Sequence, residues 1–256
     1  MSDLELQSSS VPEPPAPGLT QWQRVSNTFT APSRTFDDIK RGNKSWWMPF
    51  LLTILFSYVL FAAITVKVGW QQVAENNISL NAKQEARMDQ LTPAQRANAM
   101  KFAGAFTEVI MAASPVMILI AASLVSLVLW GTINFVFGGK AKFPEIFAVN
   151  FYCTLPNIFP PILGTIALFA GLAPESFNLN NVAGTNLAYY LSIQDTNKGL
   201  YAFASQIDII SIWGAILLSI GIARVAGKNK SAGYITVFGW WAVWTVLRVL
   251  GGVLAG

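Results

Sequence analysis

The chain contains no histidine and a single cysteine, Cys153, which excludes a histidine-based catalytic triad, a Cys/His zinc cluster and a disulfide within one chain. Charge is scarce as well. Only 12% of the 256 residues are charged and 53% are hydrophobic, whereas a soluble domain carries about 25% charged residues. The scarcity is concentrated in long runs. From Val109 to Gly139, and again from Ile146 to Pro174, no charged residue occurs, and both stretches exceed the roughly 20 residues that cross a bilayer. A cleavable signal peptide is not expected, because Met1 to Thr20 is acidic, rich in Ser and Pro and lacks an apolar centre. The first span then serves as an uncleaved signal. The formal net charge of +4 is modest and the basic residues sit beside apolar segments, so they read as topology and headgroup contacts, and no nucleic-acid partner is implied.

What is present is a series of spanning segments joined by short polar turns and by two longer polar loops, residues 67–108 and 173–206. Between the two uncharged runs lies Gly138-Gly139-Lys140-Ala141-Lys142-Phe143-Pro144-Glu145, the basic turn of a membrane hairpin. In hydrocarbon every backbone N–H and C=O must be satisfied within the segment, so each arm should be helical. The fold class is all-α: a polytopic membrane protein with five transmembrane helices and an N-terminal amphipathic segment. Residues 1–20 are expected to be a disordered tail, residues 21–44 an amphipathic interfacial segment, and residues 45–256 the transmembrane domain, with spans at about 45–66, 109–137, 146–172, 207–223 and 232–254. In the amphipathic segment Leu19, Trp22, Val25 and Phe29 recur at near-helical spacing, and Phe36 and Ile39 continue after Pro32. These aromatics lie either along the membrane surface or under the loops of the bundle. Thr92-Pro93-Ala94-Gln95 has the form of a capping box that starts a helix, and Pro115 predicts a kink. Pro156, Pro160 and Pro161, flanked by Asn150, Cys153, Thr154 and Asn157, predict a broken third span.

The Lys and Arg distribution orients the chain. A cytoplasmic N-terminus places Arg24, Arg34, Lys40, Arg41, Lys44, Lys140, Lys142, Arg224, Lys228 and Lys230 inside, against Lys67, Lys83, Arg87, Arg96, Lys101 and Lys198 outside. With five spans the C-terminus is outside.

Chemical motifs are few. A phosphate loop needs Gly and Ser or Thr where Asn134 and Ala141 stand around Gly139-Lys140, so that reading fails. A serine nucleophile lacks its base, and only Asp208, with Glu108 at a helix end, approaches the facing carboxylates of an intramembrane protease; no enzyme and no cofactor are expected. The proline cluster is either a structural kink, the favoured reading, or the unwound site of a transporter. Asp208 and Arg248 fall at similar depth and either pair or act separately, with Arg248 snorkelling to the headgroups.

The order of features resembles the Yip domain family, named for Ypt/Rab-GTPase-interacting proteins, and most closely its bacterial members. The resemblance is carried by Phe29-Thr30-Ala31-Pro32-Ser33-Arg34-Thr35-Phe36-Asp37-Asp38-Ile39, Trp47-Met48-Pro49, the Phe137 to Phe143 turn and Tyr152-Cys153-Thr154-Leu155-Pro156, over roughly residues 25–254. It implies five helices with a cytoplasmic N-terminus. The acidic-aromatic motif tied to Rab binding in eukaryotic members is not recognisable here, so Rab binding is not carried over. The expected role is non-enzymatic: a membrane scaffold or interaction protein, with membrane organisation or trafficking as its setting and a small transporter or channel as the alternative. Expected partners are the lipid bilayer and either a membrane protein or a second copy. The residues specify no small-molecule substrate. The expected location is the bacterial inner membrane, with the endoplasmic reticulum or Golgi as the alternative. Candidate functional positions are Gly138, Gly139, Lys140, Tyr152, Pro156, Pro160, Asp208 and Arg248.

Overall fold

The computed structural model describes residues 18–255. The expected N-terminal tail lies outside the described residues as far as residue 17. Its last residues belong to the fold, however, because the Leu19 amide donates to Asp38 and Thr20 caps the first helix.

Helix α1 (Gln21–Thr30) opens with a reciprocal capping box between Thr20 and Gln23, and it stops where Pro32 begins α2 (Pro32–Lys40). Both helices pack inward. Phe36 and Ile39 are fully buried, and Phe29 meets the rings of Phe159 and Trp213 edge-on. Part of the apolar side of these helices is thus buried against the bundle, while Trp22 stays exposed.

Helix α3 (Trp47–Lys67) is the first apolar helix of spanning length. Gly69, with φ of 81°, turns the chain into α4 (Trp70–Ser79), and Asn81 caps α5 (Ala82–Asp89). Helix α6 (Pro93–Ala112) starts at the Thr92–Gln95 capping box. Its Gly104 lies so close to α4 that a Cβ there would be 2.9 Å from the Trp70 backbone. The chain breaks at Ala113, because Pro115 cannot continue the hydrogen-bond ladder, and α7 (Ser114–Gly131) begins. Residues 109–112 thus end α6, and the long apolar helix runs from Ser114 to Val136 through a π-helical turn.

The third span is broken as its prolines predict. Helix α8 (Phe143–Cys153) passes through a 3-10 turn, Leu155–Ile158, that contains Pro156, and α9 (Phe159–Phe169) resumes with Pro160 and Pro161 in its first turn, at a bend of 40°. A loop rich in asparagine leads to α10 (Lys198–Gln206), then α11 (Ile209–Ala226) and α12 (Lys230–Ala255). Among the described residues four helices are long and apolar enough to cross a membrane, or five if the bent α8–α9 pair is one span. No strand forms among the described residues; one isolated bridge joins Asn186 and Asp208. The protein is an all-α polytopic membrane protein.

The spanning helices expose Leu124, Ile120, Leu247 and Leu250 on their outer sides, as expected where the solvent is lipid. Two buried apolar clusters hold the bundle. One gathers Phe36, Ile39, Ile133, Ile146, Val149, Leu155 and Ile222 at the end of the Gly-Gly-Lys turn. The other gathers Leu60, Ile64, Trp70, Val73, Leu168 and Phe177 at the opposite end, under the asparagine-rich loop.

Candidate functional site

One heavily bonded polar group in the interior is a residue that the sequence places at the membrane surface. Arg24 is fully buried rather than in contact with headgroups, because the turn between α1 and α2 folds it against α8. Its Nη1 donates to the Ser45 carbonyl at 2.8 Å and to the Tyr152 hydroxyl at 3.1 Å, and its Nη2 donates to the Asn43 carbonyl at 3.0 Å. Its Nε lies 3.3 Å from Asp38 Oδ2, close enough for an ion pair but too far out of line for a hydrogen bond. The guanidinium also sits 5.1 Å from the centre of the Tyr152 ring. Asp38 accepts further bonds from the Leu19 amide and the Asn43 side chain, and Tyr152 donates to Gln21. Removing a charge from water is costly unless every lone pair and proton is satisfied, and nearly all are satisfied here. Spacing alone does not mark this residue: Arg24 and Thr28 are four residues apart on one face of a helix, but their burial is seen only in the fold.

A second ion pair fixes α2 to the end of α11. Arg224 grips Asp37 through both carboxylate oxygens at 2.6 Å. The Arg224 hydrogen bond holds the Asp37 carboxyl below its ordinary pKa, against the opposing effect of partial burial, with Arg41 and Lys40 adding smaller attractions. A carboxylate with a depressed folded-state pKa adds stability above the unfolded pKa of about 3.9 and loses it as pH falls through the folded value. The contribution should be complete above about pH 5 and vanish in strong acid. Because the side chain is 39% exposed, solvent screening limits it to about 1 kcal/mol or less. Asp37→Asn should flatten the acid limb of a thermal-stability profile by this amount and leave the neutral limb parallel to wild type.

The Gly-Gly-Lys turn is built for geometry. Gly138 has φ of 63°, and a Cβ on Gly139 would lie 2.8 Å from the Ile133 carbonyl. The Asn134 amide clamps Ala141 by both its backbone groups, at 3.0 and 2.9 Å, and Trp130 donates to the same carbonyl. The Lys140 amide reaches the Ala226 carbonyl while its side chain is exposed.

At the break in the third span, Asn150, Cys153, Thr154 and Asn157 line a cavity of about 240 Å³ together with Gly214 and Trp241. Asn150 donates to Ser126 Oγ at 3.1 Å. A smaller cavity of about 180 Å³ shares Asn157 and Ser211 with it and adds Pro160 and Asp208. Asn134 takes no part in either. Asp208 and Arg248 do not pair. Asp208 caps α11 by accepting the Ser211 amide and also accepts the Thr185 hydroxyl, so its charge is satisfied locally, while Arg248 lies 5.7 Å from the centre of the Trp244 ring. Among the described residues no group of His, Cys, Asp and Glu could hold a metal ion.

A family model described as the Yip1 domain matches residues 26–250. The chain belongs to the Yip1 family. This Yip1-family chain is also similar to membrane protein YknW of Bacillus subtilis (strain 168), with 21% identity over 239 residues that span 92% of each chain. No solved structure matches it. Within the Yip1 match, the sequence-derived positions separate by role. Tyr152 joins Arg24, Gly138 and Gly139 shape the turn, Pro156 and Pro160 form the break, and Arg248 stands apart at the opposite end.

Proposed function

We propose that this Yip1-family protein is a non-enzymatic scaffold or interaction protein of a bacterial cytoplasmic membrane, with its N-terminus in the cytoplasm and its C-terminus outside. The observation that carries the reading is the Arg24 lock. It draws α1 and α2 onto the bundle and fills the cytoplasmic end of the third span with hydrogen-bonded side chains. Permeation needs a continuous polar path, and the cavity beside Asn150 does not include buried Tyr152 or Arg24 in its lining. The cytoplasmic face that results is rigid and basic, with Arg34, Lys40, Lys140 and Lys228 exposed or at the surface turns. Such a face suits an acidic protein partner or a neighbouring copy.

Photo-crosslinking side chains at Arg34 and Lys140 in native membranes should capture one discrete species, either a second copy or one membrane protein. Absence of a crosslink at both positions would contradict the reading. Orientation is checked separately. Single cysteines at Ser33 and Lys140, in a Cys153→Ser background, should be shielded from an impermeant thiol reagent in intact cells, and one at Asn180 should react. Labelling at Lys140 without labelling at Asn180 inverts the topology.

A second reading, a small transporter, is favoured by the cavity at the proline break, whose largely apolar wall carries Asn150, Thr154, Asn157 and Ser211. It requires the cytoplasmic seal to open during a cycle.

A further inference from the structure

The opposite end of the molecule from the Arg24 lock carries a cleft that neither the fold nor the scaffold reading uses. Asn81, Asn180, Asn186, Tyr201, Ser205 and Arg248 are among the residues lining a cavity of about 470 Å³ between α4, the asparagine-rich loop, α10 and α12. The volume is that of a small-molecule site. A neighbouring cavity of about 480 Å³ shares Asn178, Asn181 and Tyr201 with it and adds Glu175 and Gln194.

Three features of the wall point to a ligand. First, it is dominated by carboxamides, each of which offers two donors and two acceptor lone pairs. Asn81 commits one acceptor to the Gln84 amide as a helix cap, and Asn180 meets Asn77 with its own amide, which leaves capacity facing the cleft. Second, Tyr201 lines both cavities and adds a hydroxyl to their polar lining. Third, the guanidinium of Arg248 has no carboxylate partner among the described residues and lies 5.7 Å from the centre of the Trp244 ring. Asp208, the acid that the sequence offers it, is already committed to Ser211 and Thr185. The first cavity therefore combines one uncompensated cation with neutral walls that both donate and accept. Hydroxyl groups match carboxamides because they too do both, and a phosphate matches a guanidinium fork.

We propose that this cleft binds a hydroxyl-rich phosphate of glycerophosphate or sugar-phosphate type, its phosphate on Arg248 and its hydroxyls against the asparagines. Arg248 and Trp244 lie one turn apart near the end of α12, at the level of an aromatic belt. The same chemistry can therefore arrive as a soluble polyol phosphate or as the headgroup of a glycerophospholipid. The proposal goes beyond the scaffold reading and does not depend on it.

The test uses the purified full-length protein. Binding of glycerol 1-phosphate and glucose 1-phosphate is measured by calorimetry, and binding of phosphatidylglycerol against phosphatidylcholine is measured by native mass spectrometry after delipidation. At least one phosphate probe should bind, and inorganic phosphate should bind at least tenfold more weakly, because it lacks the hydroxyls. Binding of the soluble probes identifies a free ligand, and binding of phosphatidylglycerol alone identifies a headgroup. Arg248→Gln should weaken binding about tenfold or more, the usual scale for a lost charged hydrogen bond. Tyr201→Phe should weaken it severalfold. If Arg248→Gln does not fold, Asn180→Asp, which places a like charge beside the phosphate, should weaken binding to a similar degree. No binding of any phosphate probe at millimolar concentration, or binding unchanged in both charge variants, overturns the proposal.

Discussion

Arg24→Ala should lose about 3–5 kcal/mol of folding stability in detergent, because it strands the buried Asp38 charge and leaves the Ser45 and Asn43 carbonyls without their donor. Denaturant or thermal unfolding followed by tryptophan fluorescence would measure the loss. Two further substitutions separate charge from geometry. Arg24→Lys keeps the charge but cannot reach Ser45, Asn43 and Tyr152 together, since an ammonium lacks the planar fork, and it should recover less than half of the loss. Arg24→Ala combined with Asp38→Ala should lose clearly less than the two single changes added, because the double variant contains no unpaired buried charge. Tyr152→Phe removes one hydrogen-bond partner and keeps the ring under the guanidinium, so about 1 kcal/mol is expected.

Gly233→Val should cost about 3 kcal/mol, at the upper end of overpacking penalties. Helices α11 and α12 cross so closely here that even a Cβ on Gly233 would collide with the Ser219 carbonyl and lie 2.9 Å from Ala223 Cβ. Neither obstacle is the flexible end of a side chain, so the helices themselves must separate. Small residues at a membrane helix crossing allow such an approach, and the van der Waals attraction between the close-packed backbones is a main source of association in lipid. Gly239 provides the control. It is on the same helix with nothing within 4 Å of its Cβ position, and Gly239→Ala should be neutral or slightly stabilising. Comparable losses in the two variants would mean that the α11–α12 crossing does not set the cost.

The parts of this molecule that the sequence makes legible are those set by solvent and by single-residue stereochemistry. Hydrocarbon excludes charge and demands helices, so the uncharged runs on either side of Gly138-Gly139-Lys140 announce spanning segments. Proline removes a donor, so the break at Ala113 before Pro115 and the turn through Pro156 follow directly. What is not legible depends on which side chains meet across long separations. Arg24 and Tyr152 are 128 residues apart, and nothing local distinguishes a basic residue that anchors to headgroups from one that plugs a bundle. Asp208 and Arg248 illustrate the converse. Similar depth suggested a pair, but an Asp directly before a helix has a closer partner in the orphan amides of the first turn.

The proposed scaffold role places the Arg24–Tyr152 network across the cytoplasmic end of the broken third span, and the native Cys153 reports on whether that end is closed. Cys153 is buried and borders the cavity beside Asn150, one residue beyond the network. In inside-out vesicles treated with a small impermeant methanethiosulfonate, Cys153 should remain unmodified while a control cysteine at Lys140 reacts fully. Modification of Cys153 at a rate near that of the control would mean that the seal opens to the cytoplasm, which would contradict a scaffold and favour a transporter.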